Sequence, residues 1–225
     1  MRNIILFTLI ALLIAIPGIS QEENAEKGET TTTDKTKITI GDQTYFEITI
    51  EDFENTEYNE KNIHYYTKSI EEKAGIAVRE DYPAPIKNSK KYLGLKLYGK
   101  LGNVLQIRPA KKLLIDKFCR SISIWIFGKN FSGELSILLK DADGNNHRII
   151  LGKLNFIGWR KLIFRIPDSI VQQDKYLTRE KHIEIMKLIY KPGSRGRDPV
   201  WHYFYIDDIT AMVREKYTDR QSDDW

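Results

Sequence analysis

The chain has 225 residues, a formal net charge of +4 and a single cysteine. One thiol excludes an intrachain disulfide, so the chain is not one of the small disulfide-stapled folds. Its length suits a single domain.

The first twenty residues have the layout of a secretory signal peptide. Arg2 precedes an apolar run from Ile4 to Ile16, residues 17–20 (PGIS) break the run, and the small residues Gly18 and Ser20 lie three and one before the expected cut. The run is shorter than the roughly 20 apolar residues that cross a bilayer. We predict export with cleavage after Ser20, and a retained membrane anchor is the alternative. Residues 21–36 are polar and predict a flexible leader.

Strand patterns begin at Lys37. Residues 37–50 alternate polar and apolar side chains around Gly41 and Asp42, which is typical of a β-hairpin. Alternation returns at Tyr92 and recurs at short spacing. The remaining predicted strands are 92–100, 103–109, 120–127, 133–141, 147–154, 159–167, 182–191 and 201–213.

Two of these segments carry particular expectations. In the strand over 120–127, the isoleucines at 122, 124 and 126 share one face, and Trp125 and Phe127 point the other way. The segment DADGNN predicts a hairpin with its tight turn at Asp143 and Gly144.

Strands with short turns between them dominate the pattern, and only residues 169–184 have a short helical pattern. The sequence therefore predicts an all-β fold: an antiparallel β-sandwich of jelly-roll topology, like galactose-binding and carbohydrate-binding modules. We place this domain at residues 37–213 and a charged tail at 214–225. The segment LGKLNFIGWRKL, residues 151–162, predicts a corner between two strands, turned by Asn155 and Gly158.

Catalytic signals are absent from the sequence. It contains neither a G-x-S-x-G elbow nor a Gly-rich loop leading into a helix, so we expect no enzyme and no cofactor. The four histidines have no metal-ligand spacing. Cys119 lies among apolar residues, which indicates a buried side chain rather than a nucleophile.

Two groups of aspartates invite comparison with calcium sites. In DADGNN the glycine comes too early for a calcium loop, so turn chemistry is the better interpretation. In the last strand, Asp207 and Asp208 point to opposite faces, and one of them needs a buried partner. We first expect backbone amides to be that partner. The alternative hypothesis is a structural calcium ion bound by Asp207 or Asp208.

Charge and aromatic side chains provide the interface candidates. Acids dominate from Glu22 to Glu60 and bases from Lys87 to Lys129. The bases either protect strand edges or form a docking face for an acidic protein, represented by Lys90, Lys91, Lys111 and Lys112. The export signal argues against nucleic acid as the partner.

The aromatic residues between Trp125 and Tyr205 are first expected in the core of the sandwich. Trp125 and Phe127 are the strongest interface candidates, because they lie opposite the isoleucine face. The alternative function is a secreted carbohydrate-binding module, in which exposed rings such as Trp125 stack on sugars. At the corner, Phe156 and Trp159 are expected to close the end of the sandwich rather than bind sugar.

Several motifs, taken in order, resemble the outer-layer (sheath) protein family of spirochaete periplasmic flagellar filaments. They are SISIWIFGKNF, LSILLKDADG, LGKLNFIGWRKL, Ile166-Pro167, Gln172 and YFYIDDI, and together they cover residues 121–209. The segment before about Lys100 resembles the family less clearly, which leaves the partner surface open.

The resemblance implies an exported, periplasmic, non-enzymatic structural protein with a jelly-roll domain. Its implied partners are the flagellin core and other sheath proteins. It implies that the chain coats the filament and influences the filament's shape, stiffness and motility.

Overall fold

In a computed structural model of the chain, residues 37–40, 43–174, 181–193 and 200–216 are described. The predicted signal peptide and leader, the Gly41–Asp42 turn and most of the predicted tail lie outside these residues. In the described residues, no helix is long and apolar enough to cross a membrane.

The described residues form two antiparallel sheets and one short 3-10 helix at Glu60–Asn62. The seven-stranded sheet contains β1 (Lys37–Ile40), β2 (Gln43–Glu51), β4 (Ala74–Arg79), β5 (Tyr92–Gly99), β8 (Phe118–Lys129), β11 (Ile157–Arg165) and β13 (Val200–Arg214). The six-stranded sheet contains β3 (Ile63–Tyr66), β6 (Val104–Ile107), β7 (Leu113–Ile115), β9 (Glu134–Lys140), β10 (Asn146–Lys153) and β12 (Ile183–Lys191).

The long strand β13 organises the seven-stranded sheet. Its first half, residues 200–206, pairs with β5, and residues 209–213 pair with β2. Residues 205–214 pair with β8. The residues of β13 that pair with β8 include some that also pair with β5 and some that also pair with β2. Since β8 occupies one edge of β13, β5 and β2 must lie one after the other along its opposite edge. The outer surface of this sheet is therefore as long as β13.

The core lies between the two sheets. Alternate residues of each strand point inward, and the isoleucines at 122, 124 and 126, which share one face as predicted, are buried. Cys119 is also buried, and burial raises the pKa of its thiol to about 12, so its apolar interpretation is confirmed. The predicted antiparallel β-sandwich of the jelly-roll class is confirmed.

Three local predictions need correction. The described part of residues 169–184 is not helical, and Ile183 already belongs to β12; residues 175–180 lie outside the described part. The alternation pattern predicts no strand between residues 51 and 91, where β3 and β4 form, or at residues 113–115, where β7 forms. The hairpin loop spans residues 141–145 rather than two residues, and Gly144 takes its positive φ of 92°.

The corner over residues 151–162 is confirmed, and it carries the chain from β10 in one sheet to β11 in the other. The turn lies at residues 154–156, and Phe156 is buried there against the core as expected. The expectation for Trp159 is wrong: it lies within β11, opposite Phe127, and does not close the end of the sandwich. Gly158 does not turn the chain: it lies inside β11, opposite Gly128, with a φ of +90°. Only glycine adopts that backbone conformation readily.

Candidate functional site

The outer face of the seven-stranded sheet carries a cluster of four aromatic rings. In the strand register, Tyr205 lies opposite Phe127, and Phe127 lies opposite Trp159. The Phe127 ring centroid is 5.5 Å from that of Trp159 and 5.6 Å from that of Tyr205. Tyr92 completes the cluster, with centroids 5.7 Å from Trp159 and 5.4 Å from Tyr205. Edge-to-face contacts of this kind are favourable and hold the rings in place.

Trp125 and Phe127 both lie on this outer face, as the alternation of β8 predicts. Phe127 is half-buried inside the aromatic cluster. Trp125 is also half-buried and lies one row further along, opposite Asp207 on β13 and Lys161 on β11. This position suits an interface. That Trp125 and Phe127 contact a partner protein remains a prediction.

The loop over residues 80–91 packs on the outer face of the seven-stranded sheet, where it contacts Asp207 and Trp159. The Ala84 N–H and the Ser89 hydroxyl donate to Oδ2 of Asp207, at 3.2 and 2.8 Å. The Trp159 indole N–H donates to the carbonyl of Tyr82 at 3.2 Å. The loop therefore covers Asp207 and one end of the aromatic cluster. Sequence reasoning missed this contact because the loop and Asp207 are more than a hundred residues apart.

Asp207 and Asp208 differ in environment. Asp207 is fully buried, and its Oδ1 has no hydrogen-bond partner. Burial raises its pKa, against the opposing effect of hydrogen bonds from Ser89, Ala84 and the Asp208 backbone. Asp208 is half-buried at a strand irregularity with a φ of +42°. Burial, and then the charge of Asp207, raise its pKa to about 6.

The Ala84 N–H and the Ser89 hydroxyl thus satisfy one oxygen of Asp207. This agrees with the interpretation that backbone amides are the partner of the buried aspartate. Among the described residues, no group of three or more His, Cys, Asp or Glu side chains is arranged to hold a metal ion. The calcium hypothesis for Asp207 and Asp208 gains no geometric support from this and remains a prediction.

Three of the four candidate lysines meet one acidic segment. The backbone N–H groups of Lys90 and Lys91 both donate to Oε1 of Glu54. The Lys111 ammonium lies 3.5 Å from Oε2 of the buried Glu51. Lys112 is exposed on the same loop as Lys111. Two of the four ammonium groups are paired within the chain, that of Lys111 with Glu51 and that of Lys91 with Glu80 at 3.8 Å. The docking role of these lysines remains a prediction.

Next to the aromatic cluster, the outer face contains a trough with a cavity volume of about 390 Å³. Its floor is made by the small residues Gly75, Ala77 and Gly94, and Tyr203 and Tyr205 form one wall. The Lys129 ammonium lies 5.4 Å from the Tyr203 ring centroid and 5.5 Å from that of Tyr205. A Cβ at Gly94 would lie 2.9 Å from Cδ of Arg79, so the glycine makes room for the Arg79 side chain, which also lines the trough.

A second concavity, of about 440 Å³, lies where β13 ends. We call it the socket. Its lining combines apolar and polar side chains: Ile38 and Ile40 on one side and Ile163 on the other, with Tyr45, Met212, Arg120, two serines and the Glu47–Lys161 ion pair between or beside them. Sequence reasoning missed both concavities, because alternation shows that a residue points outward but not which strands lie side by side.

With this geometry established, comparison with known proteins decides the family. The sequence model described as flagellar filament outer layer protein FlaA matches residues 62–221, well over half of the chain. The chain belongs to this family. The match begins at residue 62 and so includes β3 to β5, further toward the N-terminus than the motifs that first suggested the family.

Curated relatives of this FlaA-family chain come from spirochaetes. A putative flagellar filament outer layer-like protein of Brachyspira hyodysenteriae is 28% identical over 159 residues, which cover 66% of this chain and 72% of the relative. A flagellar filament outer layer protein of Spirochaeta aurantia is 32% identical over 119 residues, 46% of this chain and 33% of the relative. The chain thus spans about a third of the length of this second relative.

Solved structures with the same kind of sandwich include a family 11 carbohydrate-binding module from Clostridium thermocellum in complex with a mixed-linked tetrasaccharide. It is 12% identical, covers 76% of this chain and 98% of the module, and has a TM-score of 0.42. At this level the likeness concerns the fold alone.

One motif residue of the FlaA-family chain has a visible structural task. The Gln172 side chain is buried, its Oε1 accepts from the Cys119 N–H at 2.8 Å and its Nε2 donates to the Cys119 carbonyl at 2.9 Å. Gln172 therefore satisfies the N–H and the carbonyl of Cys119, at the start of β8. This contact holds the loop that follows β11 against the sheet.

Proposed function

We propose that the chain is a non-enzymatic structural subunit of the sheath of periplasmic flagellar filaments. In this role it coats the flagellin core, alongside other sheath proteins, and influences the filament's shape, stiffness and motility. The observation that carries the proposal is the family match over residues 62–221. Large side chains exposed on the sandwich, such as Ile163 and Trp201, also suit a protein that is covered in an assembly.

Deletion of the gene tests this role. Filaments purified from the deletion strain should be thinner and should differ in curvature and bending stiffness, because part of their outer layer is missing. In the wild type the chain should co-sediment with the filaments. A chain that fractionates away from filaments of unchanged diameter contradicts the proposal.

Export to the periplasm belongs to the same proposal and has its own test. N-terminal sequencing of the chain recovered with the filaments should begin at Gln21, after removal of the predicted signal peptide. A chain that still carries the apolar run from Ile4 to Ile16 would instead indicate a retained anchor.

The candidate lysines can be tested within the filament. Reversing Lys90, Lys91, Lys111 and Lys112 to Glu should weaken incorporation into filaments if they face an acidic partner. Reversal of the exposed Lys153 and Lys191, on the other sheet, is the matched control. Because Lys111 also compensates the buried Glu51, melting of each variant must be compared with the wild type first. Unchanged incorporation of a folded variant removes these lysines from the interface.

The trough supports a second candidate function, binding of a carbohydrate. Tyrosine rings beside a floor of small residues offer a surface on which a sugar ring can stack, and Lys129 and Lys96 supply hydrogen-bond donors at its rim. Affinity electrophoresis in a panel of soluble polysaccharides should show retardation that Tyr203→Ala reduces. Replacement of Tyr66, an exposed tyrosine on the other sheet, is the control. No retardation in any polysaccharide contradicts this function.

A further inference from the structure

Two glycines in the floor of the trough each make room for a cationic side chain. A Cβ at Gly75 would lie 3.0 Å from Cε of Lys96, and a Cβ at Gly94 would lie 2.9 Å from Cδ of Arg79. The aliphatic stems of Lys96 and Arg79 therefore lie across the floor. Lys129 joins them from β8, and all three side chains line the trough. Strands β4, β5 and β8 thus bring positive charge to one concavity.

Acidic side chains only partly offset this charge. Glu60, in the short 3-10 helix, is the only carboxylate among the described residues that line the trough. Arg79 is paired with Asp81, which lies outside the lining. For the exposed Lys96 and Lys129, no described residue supplies an ion-pair partner. Three cations against two acids leave the trough with a net positive charge, and two of its ammonium groups are accessible to a ligand.

A row of three aromatic rings runs beside these ammonium groups. Trp201, Tyr203 and Tyr205 are alternate residues of β13, so their side chains share the outer face. The Trp201 ring is stacked on that of Tyr203, with centroids 6.2 Å apart. The Lys96 ammonium lies 5.8 Å from the Trp201 centroid, and the Lys129 ammonium lies beside both tyrosines. Four residue steps of a strand span about 14 Å, so the row is long enough for more than one sugar ring of a chain.

Rings and cations together favour an acidic sugar over a neutral one. The face of an aromatic ring packs against the apolar face of a sugar. An ammonium group makes stronger hydrogen bonds to an anion than to a hydroxyl. The volume of about 390 Å³ is in the range of small-ligand sites, whereas a folded protein partner needs a much larger surface. The trough is therefore better suited to a charged saccharide than to a neutral one or to a protein.

We infer that the trough, with Trp201 beside it, binds an acidic polysaccharide. Its sugar rings lie against Tyr203 and Tyr205, and its anionic groups contact Lys96 and Lys129. The inference rests on the second candidate function, carbohydrate binding. It adds the chemical class of the carbohydrate and the two lysines that select this class.

Affinity electrophoresis in matched pairs of polymers tests the class of ligand. Polygalacturonate is compared with its methyl-esterified form, and dextran sulfate is compared with dextran, so each pair differs in the charge on one kind of sugar chain. The protein should bind the charged member of at least one pair about tenfold more tightly than the neutral member. The pair that shows the difference identifies carboxylate or sulfate as the anionic group.

Two double variants test the assigned lysines. Lys96→Gln combined with Lys129→Gln should weaken binding of the charged polymer about tenfold or more and affect the neutral polymer much less. Lys153→Gln combined with Lys191→Gln, at exposed positions on the other sheet, removes the same charge and is the matched control. Melting confirms that both variants are folded. Equal losses in the two double variants would indicate attraction to the overall charge of the chain, and they overturn the inference.

The other outcomes separate this inference from the function on which it rests. Equal retardation by charged and neutral polymers, reduced by Tyr203→Ala, overturns the inference and leaves carbohydrate binding in place. No retardation by any of the four polymers contradicts carbohydrate binding and the inference with it.

Polyglutamate tests an acidic protein segment as the ligand instead. It should retard the chain less than polygalacturonate or dextran sulfate does, because it has no sugar ring to lie against Tyr203 and Tyr205. Equal retardation by polyglutamate, lost in the variant with Lys96→Gln and Lys129→Gln, would assign the trough to an acidic protein and overturn the inference.

Discussion

Two buried aspartates in this molecule have opposite pKa shifts. Asp141 and Asp207 are 5% and 0% exposed, and for both, burial is the largest influence and raises the pKa. Asp141 nevertheless has its pKa lowered to about 2, because hydrogen bonds from His147, Asn145 and Asp143 outweigh burial. Asp207 accepts from Ala84 and Ser89 through one oxygen only, and its pKa rises.

The source of the donors explains the difference. Oδ1 of Asp141 accepts from the N–H groups of Asp143 and Asn145, and its Oδ2 contacts Nε2 of His147 at 2.7 Å. All of these belong to the same hairpin. Two of the donors to Asp207, the Ala84 N–H and the Ser89 hydroxyl, come from a loop more than a hundred residues away in the chain. A turn that supplies its own donors can satisfy both carboxylate oxygens, whereas a distant loop reaches only one of them.

The largest expected effect is at Asp141. Replacing it by alanine leaves several turn donors without an acceptor and should lower the free energy of unfolding by about 3 kcal/mol. Urea unfolding of wild type and variant measures the change. Asp143→Ala, which removes only the partly exposed ion pair with Lys181, should cost about 0.5 kcal/mol or less. Equal losses at the two positions would show that the turn does not depend on Asp141.

At Asp207 the comparison predicts a contrast between two substitutions. Asp207→Ala removes the acceptor for Ala84 and Ser89 and should cost about 2 kcal/mol. Asp207→Asn keeps an acceptor oxygen and removes a buried charge, so it should change the free energy of unfolding by about 1 kcal/mol or less. The same urea titrations at pH 7 measure both. An asparagine variant as unstable as the alanine variant would indicate that the charge itself is needed.

The pH dependence separates Asp141 from Asp208 by sign. The folded pKa of Asp141 is lowered, so its contribution is present above the unfolded value near 3.8 and is lost as the pH falls toward 2. The folded pKa of Asp208 is raised to about 6, so stability is lost as the pH rises from about 4 to 6.

Asp208→Asn should therefore stabilise the chain at pH 7, by about 1 kcal/mol or less for this half-buried group, with no difference below pH 4. Asparagine also tolerates the positive φ at this position. Melting temperatures of wild type and variant between pH 3.5 and 7.5 measure the effect. A variant that is less stable than wild type at pH 7 contradicts the assigned pKa direction.

The smallest expected effect concerns the calcium hypothesis for Asp207 and Asp208. If calcium binds there, millimolar calcium should raise the melting temperature of the wild type and leave that of Asp207→Asn unchanged. Magnesium at the same concentration is the control for ionic strength. Equal melting temperatures of the wild type with and without calcium remove the hypothesis.

The sequence by itself determined the elements that depend on neighbours along the chain. Alternation placed the isoleucines of β8 inward and Trp125 and Phe127 outward, since successive side chains of a strand point to opposite faces. Turn chemistry identified the Asp141 loop, and the change of pattern predicted a corner within residues 151–162, although it placed Gly158 in the turn instead of in β11. β3 and β4 escaped detection because four residues are too few to show a period and AGIAVR has few bulky side chains.

Only the tertiary structure decided what meets on the outer face. Strand order brings Tyr92, Phe127, Trp159 and Tyr205 into one cluster, although they come from four different strands or strand ends. The same order sets Ala77 beside Gly94 in the trough and places Ile38 and Ile163 on two sides of the socket. The physical reason is that period-two patterning fixes the face of each strand but carries no information about its neighbours. Those neighbours are chosen by burial of the whole core.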